Sequence, residues 1–198
     1  MCSSDLDVEA LEVIERNAQR LLYLVGDLLL FASLDAKTLT LHRADADVAA
    51  LVRQAVDEVR PRALGRGLTI AVDAPPALPA YVDADRLTQV IAQLLSNAIK
   101  FTTPPGAVHV RVASDDDDVT IEVADTGMGI PADDLPRLFQ RFTRATNAIR
   151  GAISGTGVGL AIVRQLIEMH GGAVSVESTE GAGATFRVRI PRRERAST

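Results

Sequence analysis

The chain has 198 residues, 47% of them hydrophobic, which excludes wholesale disorder and suits one domain of ordinary size plus an appendage. With 21 basic and 26 acidic residues, the formal charge is −5, which argues against nucleic acid as a main partner. The single cysteine, Cys2, forms no internal disulfide and reads as an exposed terminal thiol, since nothing around it activates it as a nucleophile.

The opening MCSSDLDVE is polar and acidic, unlike a secretory signal. Residues 7–34 read as one long helix. Leu11, Ile14, Ala18, Leu21, Val25, Leu28 and Ala32 alternate spacings of three and four, an a/d seam sustained for three heptads. Leu22 and Leu29 widen the stripe, so a helical bundle with a partner helix, as in a homodimer, fits best. The run LLYLVGDLLLF (21–31) is far shorter than the ~20 residues of a membrane span, and Asp27 interrupts it. A cytoplasmic chain is expected, compatible with a membrane-anchored parent protein.

LTLHR (39–43) alternates like a short strand. Asp47 is placed to cap a helix over 48–64, with Val48, Leu51, Val52, Ala55, Val56 and Val59 on one face and Pro61 kinking or ending it. LTIAVD (68–73) reads as a strand and APPALP (74–79) as a loop. A helix over 84–101 buries Leu87, Val90, Ile91, Leu94, Leu95 and Ala98, then stops at Thr-Thr-Pro-Pro-Gly. Strands 107–114 and 118–125 form a hairpin whose four aspartates, 115–118, read as a solvated tip rather than a metal site. Residues 143–156 lack a core pattern and read as a mobile loop. A helix over 157–170 ends at Gly171-Gly172, as a left-handed C-cap requires. Strands 172–178 and 184–190 follow, and the tail from Pro191 reads as frayed. This order predicts a two-layer α/β (α+β) sandwich with a mixed sheet and helices on one face, preceded by a separate helix.

Three segments carry chemistry. In 84–101, Gln93, Asn97 and Lys100 share a helix face; an amide oxygen at Asn97 can join the shell of Mg²⁺ beside phosphate and water, and Lys100 can reach a phosphate. From this helix alone a polar surface stripe fits equally well. DTGMGIP (125–131) puts Asp125 at a strand end, where a buried carboxylate can accept a hydrogen bond from an exocyclic amine such as that of adenine. Gly127 and Gly129 allow close approach, although a plain turn also accounts for Asp-x-Gly. GTGVGLAI (155–162) opens a helix whose free N–H groups favour anions. It is neither a Walker A loop nor a good dinucleotide fingerprint, since Leu160 stands where the third small residue belongs.

These residues resemble the ATP-binding catalytic domain of sensor histidine kinases, within the Bergerat-fold (GHKL) ATPases. The likeness spans about 36–191: QLLSNAIKFT looks like the N box, DTGMGIP the G1 box, LFQRF (138–142) the F box and GTGVGLAI the G2 box. Residues 17–36 are similar to the second helix of the family's dimerisation domain, which implies a partial dimerisation segment at 1–35, a catalytic domain at 36–191 and a tail at 192–198. The resemblance implies that Asn97 ligates Mg²⁺, Lys100 touches phosphate, Phe101 lies against adenine and Asp125 binds its amine beside Gly127 and Gly129. Phe139 and Phe142 would anchor a lid and Arg144 would reach phosphate. Gly155, Gly157 and Gly159 would admit the phosphates beside Thr156 and Leu160, with Thr185 near the adenine. The implied cofactors are ATP and Mg²⁺. The implied partners are a histidine-bearing dimerisation domain and a response regulator receiver domain.

Two departures shape the expected function. The family's phosphoacceptor histidine sits on a first dimerisation helix. None of His42, His109 and His170 has that setting, so all three read as structural and self-phosphorylation is expected to fail. ATP-hydrolysing relatives place a Glu four residues before the Asn. Here that position is Gln93, whose amide cannot act as a general base. The expectation is a histidine kinase catalytic domain that transfers the γ-phosphoryl group to a histidine absent from the chain; the alternative is a non-catalytic ATP-binding regulator signalling through helix 7–34.

Overall fold

The computed structural model describes residues 38–193 except 152 and 154, together with Val25, Gly26, Leu29, Leu34 and Ala36. The chain divides into two compact units, Met1–Leu39 and Thr40–Thr198. In the first unit Val25, Gly26, Leu29 and Leu34 are helical; the rest of the expected 7–34 seam lies outside the described residues, as does the tail beyond Arg193.

The second unit is built on a five-stranded mixed sheet of order β2-β4-β5-β7-β6, comprising β2 (Leu68–Asp73), β4 (Gly106–Ser114), β5 (Asp118–Asp125), β6 (Ala173–Ser178) and β7 (Ala184–Pro191). β2 pairs parallel to β4, Leu68 opposite Gly106, and every other pairing is antiparallel. Alternation decides the faces. Val108, Val110 and Val112 are buried while the alternating His109, Arg111 and Ala113 are exposed. The exposed side carries ion pairs, Arg187 with Glu122 and Glu177, and Arg189 with Asp115. Against the buried side pack α1 (Val48–Gly65), α2 (Ala84–Phe101) and α4 (Gly159–Met169).

Helix α2 is central. Asp83 accepts a hydrogen bond from the Arg86 N–H and starts it. Leu87, Val90, Ile91, Leu94, Leu95, Ala98 and Ile99 are all buried, each large one contributing about 1.5–3 kcal/mol. The helix ends where the Thr102 N–H and hydroxyl both turn back onto the Ala98 carbonyl. In α1, Asp47 caps the Ala49 and Ala50 N–H groups as expected, but Leu51 and Val59 are only half-buried and Ala49 and Ala63 join the core.

The structure corrects the sequence reading in five places. Residues 39–43 are not a strand; β1 is Ala44–Asp47, paired with an unforeseen β3 (Pro79–Val82) in a separate two-stranded ladder. Pro61 does not end α1, which runs to Gly65; the carbonyl that loses its bond belongs to Asp57, on an exposed stretch where water can reach it. Within 143–156, Thr146–Arg150 forms a short helix, α3, with Ala148 buried. The 115–118 tip is not wholly solvated: Asp118 is buried and paired with Arg189 Nε at 2.7 Å, while Asp115 accepts from the Asp117 and Asp118 N–H groups. Pro191 lies in β7 and Arg192 is tied to Asp117 and Tyr81 through its backbone, so neither is frayed. The helix end at Gly171 is as expected, with φ at +77°.

Candidate functional site

One cavity opens between α2, the end of β5 and the segment leading to α4. Gln93, Asn97, Lys100 and Phe101, one face of α2, form its first wall. The fourfold and threefold spacings that bury Leu94 and Leu95 in the core turn these four toward the cavity. The Lys100 ammonium lies 4.7 Å from the centre of the Phe101 ring.

Asp125 closes the next wall at the C-terminal end of β5. Burial pushes its carboxyl up from the ordinary value, against the pull of the Gly127 and Ala184 N–H groups. The Gly127 N–H donates to Asp125 Oδ1 at 2.8 Å, which aims the carboxylate. Room for this turn exists because residue 127 has no Cβ; one there would press on the Phe101 carbonyl, which already accepts the Met128 N–H at 3.2 Å. Gly129 follows at φ +62°, packed on the Thr179 backbone.

The third wall is the stretch from Thr143 to Leu160. Arg144 lines the cavity and its guanidinium donates to the Ile153 carbonyl. Gly155, Thr156, Gly157, Gly159 and Leu160 line it as well. A Cβ at Gly155 would stand 2.9 Å from Lys100 Nζ, and one at Gly159 would collide with the Gln93 amide, so these glycines bring backbone directly against α2. No side chain caps the first turn of α4, leaving its N–H groups to another acceptor.

Four expected residues stand outside the lining. Gly127 lies behind Asp125, which it orients. Phe139 makes an edge-to-face contact, centroids 6.4 Å apart, with Phe186, which does line the cavity. Phe142 is 68% exposed at φ +58°, and the backbone there abuts Gly157. Thr185 sits between the lining residues Ala184 and Phe186, so strand alternation turns it to the other face of the sheet. The sequence reading missed Asn147, whose Nδ2 donates to the Gly129 carbonyl at 2.9 Å while its Oδ1 is buried without a partner. It also missed the apolar Ile130, Leu138, Ala148 and Ile153, which come from short or irregular segments with no period to read.

A half-buried carboxylate beside an apolar lining, an amide and an ammonium along one helix, and an open helix terminus opposite make a cavity chemically suited to an anionic ligand with an apolar, hydrogen-bonding body. Residues 82–194 match the family described as histidine kinase-, DNA gyrase B- and HSP90-like ATPases, and the chain belongs to that family. It is 36% identical over 186 residues to the circadian input-output histidine kinase CikA of Synechococcus elongatus, covering 92% of this chain and 25% of the relative. It is 38% identical over 190 residues to the histidine protein kinase DivJ of Caulobacter vibrioides, covering 95% and 32%. Among solved structures, full-length ShkA in complex with AMPPNP superposes with a TM-score of 0.81 at 34% identity, over 96% of this chain and 39% of that one. The mycobacterial sensor histidine kinase MprB gives 0.66 at 26% identity, over 77% and 99%. The fold is thus that of histidine kinase catalytic domains, and the chain spans about a fifth to a third of the length of the curated relatives it matches. No helix among the described residues is long and apolar enough to cross a membrane.

Proposed function

We propose that the second unit binds ATP with Mg²⁺ and transfers the γ-phosphoryl group to a histidine imidazole outside this chain. One observation carries this reading: Asn97 and Lys100 of α2, Asp125 of β5 and the open first turn of α4 share a single cavity. Asp125 would accept a hydrogen bond from the adenine amine, with Phe101 against the ring and Gly129 shaping that wall. Lys100, Arg144 and the N–H groups beyond Gly155 would receive the phosphates, and Gly157 and Gly159 would let backbone approach them. Phe139 would hold the adenine side through Phe186. ShkA, the relative with AMPPNP bound, supports the nucleotide assignment.

The residues present fit Mg²⁺ arriving with its nucleotide. Among the described residues no three His, Cys, Asp or Glu side chains gather to cage an ion, whereas Asn97 lines the cavity and its amide oxygen suits an ion that takes one protein oxygen beside phosphates and water. Bound there, the ion would neutralise phosphate charge. This chain's own residues position the nucleotide. The attacking imidazole nitrogen would form the N–P bond as the bond to the β-phosphate oxygen breaks, the electron pair leaving with ADP and the imidazole proton passing to solvent. Gln93 in the cavity, with no basic oxygen to activate water, supports transfer over hydrolysis.

His42 precedes β1, His109 is exposed on β4 and His170 is buried at the end of α4; none lines the cavity, so the acceptor must be supplied. The same reading gives the domain two protein partners, a histidine-bearing dimerisation domain and a response regulator receiver domain. The test adds a separate phosphoacceptor domain and ATP radiolabelled at the γ-phosphate. Label on the acceptor histidine, lost in Asn97→Ala, is the expected result; an unlabelled acceptor overturns the kinase assignment.

A further inference from the structure

Asp134 lies outside the cavity yet is 2% exposed, an unusual place for a carboxylate. It sits in the short 3₁₀ turn Ala132–Arg137 that follows the Asp125–Pro131 loop. Its Oδ2 accepts both the Thr146 N–H at 2.7 Å and the Thr146 hydroxyl at 2.8 Å. Its Oδ1 meets Arg137 at 3.2 Å. One residue on, Asn147 Nδ2 donates to the Gly129 carbonyl at 2.9 Å. Two adjacent residues of α3 are therefore bonded to the loop that carries the adenine-side wall. The flanking Ala145 and Ala148 are buried and line the cavity.

We propose that Asp134 is a positioning residue for nucleotide binding, acting as the tether that holds α3 against the 129–134 loop and so keeps the third wall of the cavity assembled before ligand arrives. Helix α3 has five residues and cannot hold itself together by its own hydrogen bonds. Its first turn has no cap of its own, since Ala145 offers no side-chain acceptor. Asp134 supplies that acceptor from across the chain. The two Thr146 bonds, the largest influences on it, hold its carboxyl below the ordinary range, so the charged and accepting form is the one present at neutral pH. Without the tether the wall must be ordered during binding, and the apparent affinity drops by the fraction of molecules in which it is already formed.

The inference rests on the nucleotide reading, so the experiment separates the two. A non-hydrolysable ATP analogue with Mg²⁺ is titrated into the full chain and into Asp134→Ala, Asp134→Asn, Thr146→Val and Thr146→Ser. In parallel, tryptic cleavage after the exposed Arg150 is followed by mass spectrometry without ligand. Asp134→Ala and Thr146→Val are expected to bind about tenfold more weakly, as for loss of a hydrogen bond to a charged group. Thr146→Ser, which keeps the hydroxyl, should bind as the parent does, and Asp134→Asn should fall between. Cleavage after Arg150 should quicken in the same order. The Thr146 variants guard against a folding defect at the buried Asp134, because Thr146 is exposed. Unchanged affinity and cleavage in Thr146→Val and Asp134→Ala overturn the tether. If the parent chain does not bind the analogue, the nucleotide reading fails, and the cleavage order alone then supports or overturns the tether.

Discussion

The wall formed by α2 and Asp125 rests on the sheet, while the wall formed by residues 143–151 rests on a handful of polar bonds. Behind Asn97 and Lys100 stand Leu94, Leu95 and Ile99, each fully buried, and Asp125 is registered between Val108 on β4 and Ala184 on β7. Behind Arg144 and Asn147 stand Asp134, the Gly129 carbonyl and a five-residue helix. Hundreds of dispersion contacts fix the first wall and tolerate loss of a few. The second buries only Ala145 and Ala148, a far smaller reserve, so single hydrogen bonds weigh more in its position. A pocket that must admit and release a ligand is served by one firmly packed wall and one held by fewer bonds.

The contrast can be broken or sharpened by experiment. The largest effect is expected where the firm wall meets the backbone. Gly183 has φ +89°, and a Cβ there would collide with the Asp125 carbonyl. Gly183→Ala should lower the unfolding free energy by about 3 kcal/mol in a denaturant titration, with ligand affinity falling alongside. A smaller loss would mean that the strand end can shift. Next comes Asp125→Asn, which preserves shape but removes the carboxylate acceptor. Analogue affinity is expected to drop about thirtyfold, roughly 2 kcal/mol, with the melting temperature close to that of the parent. Equal affinity would remove Asp125 from the adenine contact. Because burial raises this carboxyl, affinity should also begin to fall at a higher pH than for an ordinary carboxylate, and calorimetry across pH reads this directly.

The smallest effect concerns the far ends of the pocket helices. Asp83 caps α2 and takes the His42 N–H at 2.8 Å, while its own N–H donates to His170 Nε2 at 3.1 Å at the end of α4. His170 Nδ1 bonds the Leu166 carbonyl at 2.7 Å, so the ring is neutral with its proton on Nδ1. Burial, chiefly, lowers the pKa of His170, with Arg43 adding to it against the opposing Asp83 carboxylate. A folded pKa below the unfolded value means that stability is full above about 6.5 and declines as pH falls beneath it. Denaturant midpoints at pH 7 and pH 5 should show this decline, and it should shrink in His170→Gln. A midpoint that does not move would mean that the ring accepts its proton without losing the Asp83 bond.

The parts legible in the sequence were those with a period or a local chemical signature. Helix α2 repeats its leucines at helical spacing, Asp47 and Asp83 are acids before apolar runs, and Gly171 follows the last periodic residue of its helix. The N, G1 and G2 boxes were legible for the same reason, and eleven of the fifteen residues expected at the site line the one cavity. The β1–β3 ladder was hidden because two four-residue strands, one starting with a proline, are joined only by pairing across 31 intervening residues, Asp47 to Pro79. Helix α3 was hidden because its order comes from Asp134, twelve residues upstream of Thr146, and not from its own composition. Burial of Asp134 and Asp118 left no mark in the sequence, since each is an aspartate in an acidic turn until its partner is known.

The strand order has a consequence for how the domain comes into being. β7 is the last strand among the described residues yet lies between β5 and β6, and it contributes Ala184 and Phe186 to the cavity. A ribosome making this protein N-terminus first releases both neighbours of that slot before the strand that fills it. Until Pro191 is clear of the exit tunnel, β5 and β6 each present an unpaired edge, and the cavity lacks one side. The cavity is therefore complete only once its last wall has been made and paired.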